Sequence, residues 1–178
     1  MKQAFGVEKA IMPNNQKFLC RVIKQCRSFG IDPIVFGGWA EEYQGKDPWA
    51  HADIDFIICA KDLSDVDLMI SSTKEWREIH LKRFPHKRAA MVDGTMIEFC
   101  LIKKEANRLV TDFFNQVKFV WPEGKLWEEV HWLGLHVKVT NKNVLDFYRQ
   151  NHAGVRRAYK DYCSEQAASQ GPRGPRGL

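Results

Sequence analysis

The stretch that decides the fold reads FGGWAEEYQG over residues 36–45 and, after a short loop, HADIDFIIC over residues 51–59. The apolar run at 33–36 stops at two glycines, which favours a short buried strand. The residues after it favour a helix of about two turns over 39–44 that ends at Gly45. Residues 53–59, rich in Ile and Phe, favour a second strand. The segment therefore predicts a strand, a Gly-Gly turn, a helix, a loop and another strand.

Asp53 and Asp55 stand at the beginning of this second strand. Side chains two residues apart in a strand point to the same face, so the two carboxylates converge. Two negative charges at such a short distance repel each other, and a bound cation relieves the repulsion. Magnesium prefers oxygen ligands and is usually held by one or two carboxylates together with substrate phosphates. The pair therefore predicts a magnesium site, although an isolated Asp-x-Asp is also common at the edge of a surface strand.

Gly37, Gly38 and Glu98 are further candidates for the same site. A glycine backbone between a strand and a helix start can approach a phosphate closely, and a helix N-terminus favours an anion. Glu98 is the charged residue of the apolar stretch MIEFCLI at 96–102, where a carboxylate needs a cation, a partner or water. The simpler interpretations are a plain turn for the glycines and a solvent-facing hairpin for Glu98.

The rest of the chain predicts helices and strands around this segment. Apolar periodicity favours a helix over 14–29, a helix over 62–72 and a closing helix or helix pair over 143–168. Strands are expected over 77–84, 87–92, 96–102 and 135–139, with a hairpin at Val92-Asp93-Gly94-Thr95, whereas residues 103–133 give no clear pattern. This order predicts an α/β (α+β) fold, a mixed β-sheet flanked by helices with a C-terminal helical segment.

The composition fits one globular domain of residues 1–168 followed by a flexible Gly/Pro/Arg tail at 169–178. The formal net charge of +5 favours polyanionic ligands such as a triphosphate and does not by itself require nucleic acid. No apolar run is long enough to span a bilayer, and the N-terminus lacks a secretory signal pattern. Five cysteines without a Cys-x-x-Cys pair argue against a disulfide framework or a zinc site. We therefore expect a cytoplasmic protein.

Gly38-Trp39-Ala40, Gly45 and His51-Ala52-Asp53-Ile54-Asp55 together resemble the signature of the aminoglycoside and lincosamide nucleotidyltransferases, a branch of the polymerase-beta-like nucleotidyltransferase superfamily. The resemblance is specific over residues 35–58 and extends more weakly to 96–101 and 135–161. Glu42 stands where the family often has Asp. Trp49-Ala50 replaces the family's usual Arg-x, and Lys46 is a nearby cation that could substitute for the arginine. These departures concern antibiotic specificity and leave the metal chemistry intact.

The resemblance implies a magnesium-dependent enzyme that moves AMP from ATP to a hydroxyl of a small molecule, such as an aminoglycoside or lincosamide antibiotic. Antibiotic resistance would be its biological setting. The implied catalytic residues and metal ligands are Asp53, Asp55 and Glu98, with Glu98 also a candidate base for the acceptor hydroxyl. The implied nucleotide-binding residues are Gly37, Gly38, Lys46 and His51, although an isolated His51 would more often be structural.

Two alternatives stay open at this stage. A toxin-like transferase would modify a protein or a tRNA, and the basic cluster KRFPHKR at 82–88 would then be its docking surface rather than a solvated loop. A non-catalytic relative would bind nucleotide or a partner protein, and it would not need the three carboxylates to converge. Arg156, Arg157 and Lys160 are late cations that could reach a triphosphate, and six Trp residues leave room for a homodimer.

Overall fold

The computed structural model describes residues 14–47 and 50–169, with side-chain environments as far as residue 166. The helices are α1 (Gln16–Ser28), α2 (Gly37–Tyr43), α3 (Ser64–Ser72), α4 (Lys142–Asn151) and α5 (Ala153–Ser169), with a 3-10 helix at His80–Lys82. The strands are β1 (Ile34–Phe36), β2 (Asp53–Cys59), β3 (Arg77–Glu78), β4 (Lys87–Val92), β5 (Thr95–Glu105), β6 (Arg108–Phe113), β7 (Val117–Val120), β8 (Trp127–Trp132) and β9 (Leu135–Thr140). The sequence interpretations of Trp49 and of the tail beyond residue 169 lie outside the described residues.

A mixed β-sheet organises the molecule, with its strands in the order β3-β4-β5-β2-β1-β9-β8. β2 lies between β5, to which it is parallel, and β1, to which it is antiparallel, while β1 and β9 are parallel. The C-terminal part of β5 pairs with β6, which pairs with β7. The mixed sheet, the flanking helices and the C-terminal helical segment confirm the predicted fold class.

The two faces of β2 are covered differently. Phe56 belongs to the same hydrophobic cluster as the apolar face of α1. That helix forms because its apolar residues recur every three or four positions, and the Asn15 side chain caps it by accepting the Phe18 backbone N–H at 3.0 Å. Asp53 and Asp55 lie on the opposite face, whose apolar part packs against β6, β7, α4 and α5 in a second cluster. β2 therefore buries one face and presents two carboxylates on the other.

The hairpin between β4 and β5 confirms the turn predicted at 92–95. Val92 pairs with Thr95, and Asp93 and Gly94 have φ values of 47° and 83°. Two-residue hairpin turns of this kind need positive φ at both central residues, which Asp-Gly adopts at low cost. Because the turn is tight, it fixes the register that places Glu98 opposite Ala89.

Two segments differ from the sequence expectation. Residues 77–84 do not form one strand, because β3 ends at Glu78 and the following 3-10 helix turns Lys82 and Arg83 toward carboxylates. Residues 103–133, which give no clear sequence pattern, contain the end of β5 and the strands β6, β7 and β8. Their turns are hard to read from sequence, since Ala106 and Phe114 adopt positive φ there and neither residue type marks a turn.

The closing segment is a helix pair, in agreement with the expectation over 143–168. α4 ends at Asn151, and α5 begins at Ala153 and extends to Ser169. α2 begins at Gly37, two residues before the predicted start. Over the described ranges, every helix is too short or too polar to cross a lipid bilayer.

Candidate active site

Asp55 and Glu98 meet across neighbouring strands. β2 and β5 run parallel, with Asp53 beside Met96 and Asp55 beside Glu98. Residues in this register point to the same face, and the Asp55 and Glu98 carboxyl groups are close enough for Glu98 to raise the pKa of Asp55. Asp53 is close enough for its charge to act on Asp55. The strand register therefore brings the three predicted carboxylates to one face of the sheet.

Gly37 is the residue that lets Asp55 occupy this position. Phe36 lies opposite Asp55 in the pairing of β1 with β2, and Gly37 follows with φ 60° as the first residue of α2. A Cβ atom at position 37 would overlap Asp55 Oδ2 and lie 3.1 Å from its Cγ. The left-handed backbone and the close approach therefore both require glycine. Gly38, the second predicted glycine, is the second residue of α2.

The Asp55 carboxyl group is unfavourable as an anion in the metal-free protein. Burial first, and then the charges of Asp53 and Glu98, raise its pKa to about 7 from an ordinary value of 3.8. Lys87 opposes this shift without cancelling it. A divalent cation bound by the Asp53 and Asp55 oxygens would relieve the repulsion, and carboxylate oxygens suit magnesium. The donor chemistry therefore fits the metal that the sequence predicts.

A complete magnesium site would need ligands from the substrate as well as from the protein. Within residues 14–47 and 50–169, no three His, Cys, Asp or Glu side chains are gathered as a preformed metal cluster. Magnesium usually keeps several waters and is held by one or two carboxylates plus substrate phosphates. Two aspartates would therefore be enough for a site that substrate phosphates complete, and Glu98 as a third metal ligand stays a prediction.

Glu98 is compensated by two lysines. Lys82 Nζ lies 2.6 Å from Glu98 Oε1, and Lys87 forms an ion pair with the other carboxylate oxygen. Burial raises the pKa of Glu98, but the Lys87 and Lys82 ammonium groups outweigh it and hold the pKa below its ordinary value. From the sequence alone, the group that compensates this carboxylate could be a cation, a side-chain partner or water. The structure supplies partners, and both come from the basic cluster at 82–88.

The two arginines of the basic cluster form ion pairs away from Glu98. Arg83 and Arg88 form ion pairs with Asp67 of α3 at 3.0 Å and 2.6 Å. His86 is 3% exposed, and burial first, then the flanking cations, lower its pKa to about 4. The ring is therefore neutral near pH 7. Lys82 and Lys87 therefore balance Glu98, whereas the two arginines pair with Asp67 of α3, a division that the sequence does not reveal.

A cavity of about 280 Å³, which we call the cationic cavity, opens beside Asp55. Helices α4 and α5 supply its positive side chains. The polar and glycine residues that line it are Gly37, Glu41, Asp55, Tyr148, Arg149, His152 and Arg156. Arg149 forms an ion pair with Glu41, which ties α4 to α2. Arg149 and Arg156 therefore bring positive charge into a cavity next to the carboxylates, and Glu41 partly balances it.

Sequence reasoning finds only one of these helical residues. Arg156 is among the predicted late cations and does line the cavity, whereas Tyr148, Arg149 and His152 are missed. Arg157 and Lys160 are exposed and are not among the lining residues that the structure describes. The helical lining residues lie at the end of α4, at the junction His152 and at the start of α5, so the break between the two helices brings them together and no local spacing predicts it.

Lys46 and His51, two predicted nucleotide-binding residues, support α2 in this structure. Lys46 Nζ lies 3.0 Å from Glu41 Oε2. His51 Nε2 lies 2.7 Å from Glu42 Oε2, and its ring packs on Trp39 at a centroid distance of 4.1 Å. These contacts tie α2 to the loop before β2. A direct contact of Lys46 or His51 with a nucleotide stays a prediction.

Solved structures with the same architecture include nucleotidyltransferases. No protein-family model matches the sequence, and no curated protein matches it. The structure resembles the lincosamide antibiotic adenylyltransferase LnuA bound to lincomycin, with a TM-score of 0.64 and 13% identity over 86% of this chain and 99% of that one. It also resembles ANT(2")-Ia in complex with adenylyl-2"-tobramycin, with a TM-score of 0.55 and 12% identity over 87% of this chain and 91% of that one.

A third similar structure comes from Thermotoga maritima and has a provisional assignment as a nucleotidyltransferase. Its TM-score is 0.52, with 15% identity over 92% of this chain and 99% of that one. At such identities a structural likeness establishes the fold, and the fold is the one that the resemblance over residues 35–58 implies. The chain therefore has the nucleotidyltransferase fold seen in lincosamide and aminoglycoside nucleotidyltransferases.

Proposed function

We propose that this chain is a magnesium-dependent nucleotidyltransferase that moves AMP from ATP to a hydroxyl of a small molecule in the cytoplasm. The observation that supports this most is the pairing of Asp55 with Glu98, next to Asp53 and against the Gly37 turn. A buried pair of carboxylates is costly for a purely structural site. It is useful where metal-assisted phosphoryl transfer takes place, and the cationic cavity lies beside it.

The triphosphate would bind in the cationic cavity. Arg149 and Arg156 line that cavity and would pair with phosphate oxygens. Asp53 and Asp55 would hold magnesium, which supplies positive charge beside the α-phosphate. Gly37 keeps the Asp55 carboxylate in place, because a side chain there would displace it.

Glu98 would act on the acceptor. Its two lysine partners keep it anionic, so it can orient the acceptor hydroxyl and accept the proton as that group reacts. The acceptor oxygen forms its bond to the α-phosphorus while the bond from this phosphorus to the pyrophosphate oxygen breaks. Pyrophosphate leaves with the electron pair. Positioning and charge stabilisation would supply most of the rate enhancement, as in other phosphoryl transfers.

The ion pairs of the basic cluster at 82–88 favour a small-molecule acceptor over tRNA or protein. The cations at 82–88 pair with Asp67, Glu78 and Glu98, which leaves less positive charge for a phosphate backbone. Two of the solved structures of similar fold contain lincomycin or adenylyl-2"-tobramycin, both small molecules. The proposed acceptor is therefore a hydroxyl-bearing small molecule. Antibiotics of the kinds bound in those two structures are one class to test, and a role in antibiotic resistance follows only if the protein accepts them.

Binding of a non-hydrolysable ATP analogue, measured by calorimetry with and without magnesium, tests the proposal. We expect magnesium-dependent binding that Asp53→Asn weakens about tenfold or more, because the substitution removes a metal ligand. Asp146→Asn, on the exposed surface of α4, is the matched control and should bind like the wild type. Equal affinity in Asp53→Asn and wild type would contradict the metal site. Pyrophosphate release with a mass gain of AMP on a hydroxyl compound would then identify the acceptor.

A further inference from the structure

A second cavity borders Asp55, and its walls are aromatic. We call it the aromatic chamber; its volume is about 160 Å³. The Phe, Trp and Tyr residues that line it are Phe36, Phe56, Phe84, Phe113, Phe114, Trp121 and Tyr148. Its charged groups are Asp55, Glu98 and Lys87. Asp55 lines both this chamber and the cationic cavity, so the two spaces meet at the carboxylates of the candidate active site.

The rings of the aromatic chamber are held by one another and by the protein. Trp121 stacks on Tyr148 with a centroid distance of 5.7 Å and meets Phe36 edge-on at 6.1 Å. The Trp121 Nε1–H donates to Thr111 Oγ1 at 3.0 Å, so its polar edge has a partner inside the protein. Preformed aromatic walls of this kind suit an apolar or aromatic ring better than a sugar that must keep many hydrogen bonds.

The remaining polar groups of the chamber wall carry no charge near pH 7. His86 Nδ1 accepts a backbone N–H at 3.2 Å, which fixes a neutral ring that burial and the flanking cations also favour. The negative charge of Glu98 is already balanced by its two lysines. Lys82 and Lys87 stand against the two carboxylates, Asp55 and Glu98, so a polycationic amino sugar would find no excess of negative charge in the chamber.

We propose that the aromatic chamber is the acceptor subsite and takes a single-ring aromatic alcohol, with the ring between the aromatic walls and the hydroxyl at Glu98. An apolar cavity of about 150 Å³ holds one benzene ring, so the chamber volume fits one ring and not two. The inference rests on the proposed function, since the hydroxyl of this alcohol would receive AMP from ATP. It names an acceptor class unlike tobramycin, which is an aminoglycoside.

The test uses benzyl alcohol as the probe and Val155 of α5 as the site of change. Val155 is 9% exposed and lines the chamber, whereas the described lining of the cationic cavity does not include it. Val155→Phe fills the chamber, and Val155→Ala enlarges it. Binding to the full chain is measured by calorimetry and by saturation-transfer NMR, with and without the magnesium-bound ATP analogue. 2-Deoxystreptamine, an amino cyclitol of the same ring size, is the matched control ligand.

We expect the wild type to bind benzyl alcohol and not 2-deoxystreptamine, with and without the nucleotide analogue. Val155→Phe should weaken benzyl alcohol binding about tenfold or more, because a difference of one methylene in a hydrophobic pocket changes affinity by about 10- to 200-fold. The affinity for the ATP analogue should stay within about twofold of the wild-type value. Val155→Ala should gain affinity for naphthalenemethanol by a factor on the order of ten. With magnesium and ATP, the wild type should then form the AMP ester of benzyl alcohol.

Three results would overturn the inference. Benzyl alcohol affinity that neither Val155 variant changes would place the probe outside the chamber. Competition between benzyl alcohol and the ATP analogue would assign the chamber to the nucleotide base and leave the proposed function intact. Benzyl alcohol binding in a protein that never binds the analogue would reject the proposed function, and the acceptor role with it.

Discussion

Removing the Asp55 charge is expected to stabilise the metal-free protein while it abolishes metal-dependent binding. The pKa of Asp55 is about 7 in the folded protein, against an ordinary value of 3.8. Because the folded state holds this proton more tightly than the unfolded chain, the contribution to stability is full below about pH 4 and is lost as pH rises through 7. About 3 pKa units at about 1.4 kcal/mol each give an upper limit of about 4 kcal/mol at pH 8.

Asp55→Asn isolates this cost, because asparagine keeps the size of the side chain and does not titrate. Urea unfolding of the variant and the wild type in EDTA gives the free energy of unfolding of each at pH 5 and pH 8. The difference, variant minus wild type, should grow by about 2 to 3 kcal/mol between the two pH values. All other titrating groups, Glu98 included, contribute to both proteins and cancel to first order.

Asp146→Asn is the matched control, since this side chain is 48% exposed and lies on α4. Its stability difference should stay within about 0.5 kcal/mol at both pH values. Magnesium with the ATP analogue should stabilise the wild type at pH 8 and leave Asp55→Asn unchanged. A difference that does not vary with pH, or destabilisation of Asp55→Asn at both values, would refute the argument that carboxylate repulsion dominates this site.

Three further predictions address the turn, the acceptor side and the tail. Gly37→Ala should lower the free energy of unfolding by about 2 to 4 kcal/mol, and adding Asp55→Ala should restore part of it by removing the overlap. If urea unfolding shows that the two changes in free energy simply add in the double variant, the contact is contradicted. Glu98→Gln should keep the affinity for the ATP analogue but lose turnover by a factor on the order of a hundred to ten thousand, and unchanged rates of pyrophosphate release would remove Glu98 from catalysis. Deletion of residues 171–178, whose apolar content beyond glycine and proline is limited to Leu178, should leave the melting temperature and analogue affinity unchanged, and a clear loss of either would show that the segment contributes.

Local sequence determines the segment that carries the chemistry. Strand, turn and helix signals over residues 36–59 are short-range, and the structure confirms the order of elements that they predict. The convergence of Asp53 and Asp55 follows from the period of two along a strand and needs no tertiary information. The Asp-Gly hairpin at 92–95 is predictable for the same reason, because two residues set its backbone conformation.

Tertiary structure decides which other residues reach the carboxylates. Glu98 lies beside Asp55 only because β2 and β5 pair in one register, and a shift of one residue would send it to the other face. Lys82 and Lys87 read as a solvated or docking cluster in the sequence, yet a 3-10 helix and β4 direct both toward Glu98. The aromatic chamber and the cationic cavity draw on β4, β5, β6, α4 and α5 at once. Periodicity reports which face of an element is buried, but contacts between elements distant along the chain depend on how those faces pack, and no local pattern encodes that.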